Sequence, residues 1–103
     1  MLRVKTMFET CDCWVTVDRY VRDMSLAIQL WCDDGPFATL TVCLVDKTLD
    51  PGESYVDTNN CPWAMEMIEE FGLGVPTGRT GVSGFCSYPV VKWDMDALMK
   101  HTA

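Results

Sequence analysis

The chain has 103 residues, of which 49% are apolar and 22% charged, the size and composition of one folded domain and not of a disordered segment. No run approaches the roughly 18 uncharged apolar residues of a membrane-spanning helix, and charged Arg3 and Lys5 interrupt what a secretory signal would need as an apolar stretch. The net charge of −7 opposes nucleic acid as a direct partner and favours a basic surface.

In chain order, residues 2–9 alternate as a strand, with Leu2, Val4, Thr6 and Phe8 on one face. Residues 12–21 alternate likewise, with Cys13, Val15 and Val17 inward, and Thr10-Cys11-Asp12 suits the hairpin link between them. A third strand is expected over 25–32, carrying Leu26, Ile28, Leu30 and Cys32. It ends at the turn Asp33-Asp34-Gly35-Pro36, where glycine supplies a positive φ and the aspartates bond local backbone. A fourth follows over 37–45, with Ala38, Leu40, Val42 and Leu44 on its apolar side. Four strands with short links read as an antiparallel meander.

Beyond a second turn at Asp50-Pro51-Gly52-Glu53, Ser54–Asp57 reads as a short edge strand. A helix is expected from Pro62 to Phe71, capped by Asn60 or Cys61, with Ala64, Ile68 and Phe71 inward and Glu66, Glu69 and Glu70 outward. Gly72 stops it, and Leu73 adds the accompanying apolar contact. Residues 74–84 read as a glycine-rich loop with Arg79 at its tip. Residues 85–93 read as a last strand, in which Pro89 points to an edge or a bulge, and Asp94 caps a short helix over 95–101. The expectation is one α+β domain over 1–103. It has an antiparallel sheet of about five to six strands, a meander of the first four, a central helix near 62–71 and a short C-terminal helix.

Catalytic chemistry finds little to build on. The six cysteines lack paired zinc spacings; Cys11 and Cys13 are one residue apart on one strand face, and free thiols in a reducing compartment are expected. The one histidine, His101, lies near the C-terminus, a poor place for a thiol–imidazole pair. Asp33-Asp34 and Glu69-Glu70 are sequence neighbours whose side chains diverge, so neither pair suits acid–base work. The 74–84 loop lacks the Lys-Ser/Thr pair and the following helix of a phosphate-binding loop. Most of the four tryptophans are expected in the core, each indole N–H with a partner.

The negative charge is local. Residues 33–70 hold nine acids against Lys47, a net −8, whereas 1–32 are neutral and 71–103 carry +1.

Two groups of phrases carry a family resemblance. One is Asp57-Thr58-Asn59-Asn60-Cys61-Pro62-Trp63-Ala64 with Pro76-Thr77-Gly78-Arg79-Thr80-Gly81-Val82-Ser83-Gly84-Phe85-Cys86-Ser87-Tyr88-Pro89. The other is Leu26-Ala27-Ile28-Gln29-Leu30-Trp31-Cys32 with Gly35-Pro36-Phe37-Ala38-Thr39-Leu40-Thr41-Val42. Across roughly 25–93 the chain resembles a small family of uncharacterised domains of gut bacteria, their phages and mobile elements. A short member of that family is described as an anti-CRISPR protein, an inhibitor of the type II RNA-guided nuclease.

The resemblance implies a non-catalytic protein inhibitor of a type II CRISPR effector nuclease or its guide RNA complex. The residues themselves add the expectation of a cytoplasmic protein without metal or cofactor, with a monomer favoured and the oligomeric state left open. The effector's basic channels and arginines suit an acidic competitor. Asp33, Asp34, Asp50, Glu53, Glu66, Glu69 and Glu70 are the acids expected on the binding face, with Arg79 as a candidate anchor, either internal or on the partner. Two alternatives stand beside this: an interaction module for another basic host protein, and a nucleotide or phosphate binder using the 74–84 loop.

Overall fold

The computed structural model describes residues 1–44 and 49–102. Val45, the last residue of the expected fourth strand, and Asp46 and Lys47 of the acidic segment lie outside the described residues.

The fold is α+β, with two antiparallel four-stranded sheets and two short helices. The first sheet is the meander β1 (Leu2–Lys5), β2 (Thr10–Arg19), β3 (Leu26–Cys32) and β4 (Gly35–Thr39), in that spatial order. The second contains β5 (Thr41–Val42), β6 (Glu53–Val56), β7 (Gly74–Ser83) and β8 (Cys86–Trp93), ordered β5-β6-β8-β7. Helix α1 (Ala64–Glu70) lies between β6 and β7 in the chain, and α2 (Met95–Met99) follows β8.

The expected fourth strand divides at Leu40, and the chain passes there from one sheet to the other. The seam is held by one backbone bond and two side-chain bonds. Leu40 N–H donates to Ile28 O at 2.9 Å, Ile28 N–H donates to the Thr41 hydroxyl at 3.1 Å, and the Ser54 hydroxyl donates to Leu26 O at 2.6 Å. Buried Thr41 and Ser54 thus satisfy backbone groups of β3 that would otherwise be orphaned, which explains polar residues at core positions.

Inward residues of both sheets meet α1 in one core: Leu2, Val15, Ile28, Leu30, Val91 and Ile68 are fully buried. A second small cluster, Leu44, Tyr55 and Val90, covers another face of the second sheet. Strand β6 is therefore buried at all four positions. It sits between β5 and β8 instead of at an edge, because β5 peels off the meander to pair with it.

Other expectations are corrected locally. Strand β1 stops at Lys5, since the Thr6 hydroxyl accepts from both Phe8 N and Glu9 N at 3.2 Å and closes a turn over 6–9. Phe8 is consequently 93% exposed instead of inward. Helix α1 begins later than expected. Trp63 is its N-cap and makes no side-chain cap, while Asn60 binds back to Asp57 instead. Its C-terminus is as expected: Gly72 has φ 63, Leu73 N–H reaches Ile68 O at 3.0 Å, and Leu73 is buried. Asp94 caps α2 by accepting from Ala97 N at 3.1 Å.

The 74–84 segment is a strand and a hairpin turn, not a loop. Its alternating small residues pair with β8 from Gly74↔Trp93 to Ser83↔Cys86, and the two-residue connection Gly84-Phe85 has glycine at φ 60, as a type II′ turn requires. A register shift between Pro76 and Thr80 leaves an excursion over 77–79. Pro89 pairs with Thr80 where that excursion ends, on an inner strand. Of the tryptophans, Trp93 is 5% exposed and its indole nitrogen lacks a partner. Trp31 is half-buried and donates to the Thr16 hydroxyl at 3.0 Å.

Candidate functional site

The strand directions sort the acids into two ends. Antiparallel β2 and β3 pair Trp14 with Trp31, so the start of β2 and the end of β3 share one end of the sheet. That end carries Glu9 of the 6–9 turn and Asp33-Asp34 of the β3–β4 turn. The start of β3 marks the other end, about 20 Å away at the usual rise for its seven residues. Asp50 and Glu53 lie there: Arg19, Met24, Asp50 and Gly52 line a common hollow beside the β2–β3 turn.

The two ends differ electrostatically. Glu53 is only 4% exposed, and its carboxylate accepts from Asp50 N–H at 2.9 Å and from the Arg79 guanidinium. Arg79 also lies 3.6 Å from the Asp50 carboxylate. The 77–79 excursion makes this possible. Gly78 takes φ 84, the Thr77 hydroxyl donates to Val90 O at 3.0 Å, and Arg79 N–H donates to that same hydroxyl at 3.1 Å. Burial pushes the Glu53 carboxyl up, but the Arg79 and Asp50 hydrogen bonds outweigh it and hold the group below its ordinary value. Asp50, Glu53 and Arg79 are thus occupied with one another, and Gly78 permits the excursion that brings Arg79 there, while other glycines of 74–84 serve strand packing. A Cβ on Gly81 would overlap the Tyr55 ring, and one on Gly74 would come within 2.8 Å of Lys92 O.

At the other end, Glu9, Asp33, Asp34, Glu66 and Glu70 are exposed, and among the described residues none is within ion-pair distance of a base. Glu66 and Glu70 share a shallow hollow with Lys5 and Trp63. Glu69 is exposed on the same helix but lines neither this hollow nor the neighbouring cleft. The structure therefore brings Asp33, Asp34, Glu66 and Glu70 to one end, joined by Glu9, and separates Asp50 and Glu53 from them.

Beside these acids lies an open cleft of 260 Å³, walled by Met7 and Phe8 on one side and by Phe37 and Trp63 on the other. Phe37 and Trp63 meet with ring centroids 6.1 Å apart and planes at 57°. A bulge explains Phe37: Leu30 pairs with Ala38 and Trp31 with Pro36, so Phe37 has no partner across the ladder. Sequence periodicity misses these residues. It assigns Phe8 to a core face and gives no sign of the bulge; the exposed aromatic after a Thr-initiated turn is the one available signal.

Reactive groups are scarce. Cys61 borders the cleft, but burial first, and the nearby Asp57 charge second, push its thiol up to about 11. Burial pushes Cys13 up to about 12, and Cys11 is raised by burial and by its neighbour Cys32. Such thiols stay protonated at neutral pH and are weak nucleophiles. All six cysteines are free, and among the described residues no group of three or more His, Cys, Asp or Glu side chains is placed to hold a metal ion. No helix among the described residues is long and apolar enough to cross a membrane.

No curated protein and no solved structure matches the chain. A family match begins at Trp14 within β2 and takes in β3 to β8 and both helices, but not β1 or the 6–9 turn: over residues 14–103 the chain belongs to the domain-of-unknown-function family DUF4313.

Proposed function

We propose that the chain is a non-catalytic inhibitor that binds a type II CRISPR effector nuclease directly, through the acidic end that carries Glu9, Asp33, Asp34, Glu66 and Glu70. The observation that carries this reading is the contrast between that end and the Arg79 end. At the Arg79 end Asp50 and Glu53 are paired with a guanidinium, while these five are exposed and, among the described residues, none is within ion-pair distance of a base. Carboxylates free of internal partners can meet the lysines and arginines that line a heteroduplex channel or read its flanking motif. The resemblance noted in the sequence supplies this partner; the charge layout supplies the face.

The test is target-DNA cleavage by the purified nuclease in the presence of the protein. Inhibition is expected, with loss of target binding and not of cleavage alone, because the competitor occupies a nucleic-acid surface. Charge reversal at Asp33, Asp34, Glu66 and Glu70 together should abolish it. Raising salt should weaken it, since attraction between exposed charges is screened over about 8 Å at physiological ionic strength. Inhibition unchanged by both treatments rules out the acidic face, and no inhibition at all rules out the partner.

A further inference from the structure

The acidic end contains apolar surface that charge mimicry leaves unexplained. Met7 is 80% and Phe8 93% exposed, at a turn that is not loose. Thr6 fixes it four times: its N–H donates to Glu9 O at 2.8 Å, its hydroxyl donates to the same oxygen at 3.2 Å, and that hydroxyl accepts from Phe8 N and Glu9 N. An ordered turn thus holds two large apolar side chains in water, forgoing their burial. Across from them the β4 bulge and the start of α1 set Phe37 against Trp63. Rigid aromatics flanking a small concavity are the anatomy of a protein-binding hot spot. At 260 Å³ the cleft is below the roughly 300–1,000 Å³ of small-molecule pockets and suits one large side chain.

Charge selects the occupant. Glu9 lines the cleft itself, and Glu66 and Glu70 continue from Trp63, with Lys5 the one base lining either hollow among the described residues. We infer that this cleft is a docking site for a polypeptide segment of a basic protein, which inserts one apolar side chain between Phe8 and the Phe37–Trp63 pair while its flanking lysines or arginines meet Glu9, Glu66 and Glu70. This rests on the binding reading above and deepens it: the partner is gripped through protein, by an apolar anchor, and not through carboxylates alone. An arginine of the segment can also lie on the exposed part of the Trp63 ring. A nucleic-acid occupant would meet the same acids as repulsion.

The experiment is a titration of the isotope-labelled protein, followed by NMR, with a short lysine- and arginine-rich peptide carrying one central phenylalanine. Two controls are used: the same peptide with alanine at the centre, and one with glutamates for the basic residues. Saturable shifts at the amides of residues 6–9 and at the Trp63 indole are expected with the first peptide. Binding should weaken about tenfold or more with the alanine peptide, a loss typical of a hot-spot side chain, and vanish with the glutamate peptide. Phe8→Ser, a change at an exposed position that leaves the core intact, should weaken the first peptide to a similar degree. Equal binding of the phenylalanine and alanine peptides overturns the inference, as do shifts confined to other surfaces. So do shifts at 6–9 that follow protein concentration without peptide, which would identify a second copy as the occupant. The nuclease assay separates the two proposals. Peptide docking without nuclease inhibition leaves the cleft standing and removes the inhibitor reading. Inhibition equally strong in Phe8→Ser does the reverse.

Discussion

The two ends of the molecule use the same kind of residue for opposite purposes. At the Arg79 end an acid is buried, bonded to backbone and paired with a guanidinium, and a strand is distorted over 77–79 to deliver that guanidinium. At the cleft end the acids are left in water beside exposed aromatics. A carboxylate near 4% exposure with two charge-assisted partners contributes to folding, whereas isolated surface carboxylates contribute little and remain available. Acidity in a sequence therefore does not tell which carboxylates the fold uses internally; the tertiary contacts do.

The largest expected effect comes from what supports the cleft. Ile68 is fully buried on α1, whose N-cap is Trp63. Ile68→Ala should cost about 2–5 kcal/mol in denaturant unfolding and loosen the cleft with it. A loss well under 1 kcal/mol would mean that α1 is not held by this core.

Next is the difference between the ends. Glu53→Ala leaves Asp50 N–H and Arg79 without their acceptor and should cost about 1–3 kcal/mol. Glu66→Ala should leave the melting temperature unchanged while weakening partner binding. Equal destabilisation by both would erase the contrast.

Acid should reveal the same contrast more gently. The folded-state carboxyl of Glu53 titrates below its ordinary value of 4.5, so the folded chain holds fewer protons there than the unfolded one. Its stabilisation is present above that value and is lost as pH falls through the folded one. Glu53→Gln should flatten the stability profile in that window, and Glu66→Gln should not. His101, lowered by burial and by the Met1 ammonium, has the same sign at higher pH: its contribution is present above about 6.5 and is lost as pH falls. His101→Gln should remove that step from a melting-temperature series.

The smallest effect on stability is expected at Phe8. Phe8→Ser should shift stability by no more than about 0.5 kcal/mol, because the ring is almost wholly in water. A larger loss would mean that Phe8 packs on the cleft wall in solution.

The sequence by itself determined the meander, the helix with its Gly72 stop, the Asp94 cap and the confinement of negative charge to 33–70. These rest on local physics: strict alternation, a 3.6-residue period, a left-handed glycine and a side chain that bonds backbone three residues on. Only the tertiary structure decided the rest. Thr41 and Ser54 replace a ladder of backbone bonds, so one expected strand divides between two sheets. Small residues of 74–83 pair with β8 because the space over Tyr55 and along Lys92 excludes a Cβ at Gly81 and Gly74. Asp50 and Glu53 leave the acidic face because Arg79, 26 residues after Glu53, arrives beside them. The Thr6 turn and the Phe37 bulge build a cleft that no period announces. The seam, the packing of β7 and the Arg79 cluster depend on contacts between segments distant in the chain, which local propensity does not encode. The Thr6 turn and the β4 bulge are local, and it is their meeting with Trp63 of the helix start that is tertiary.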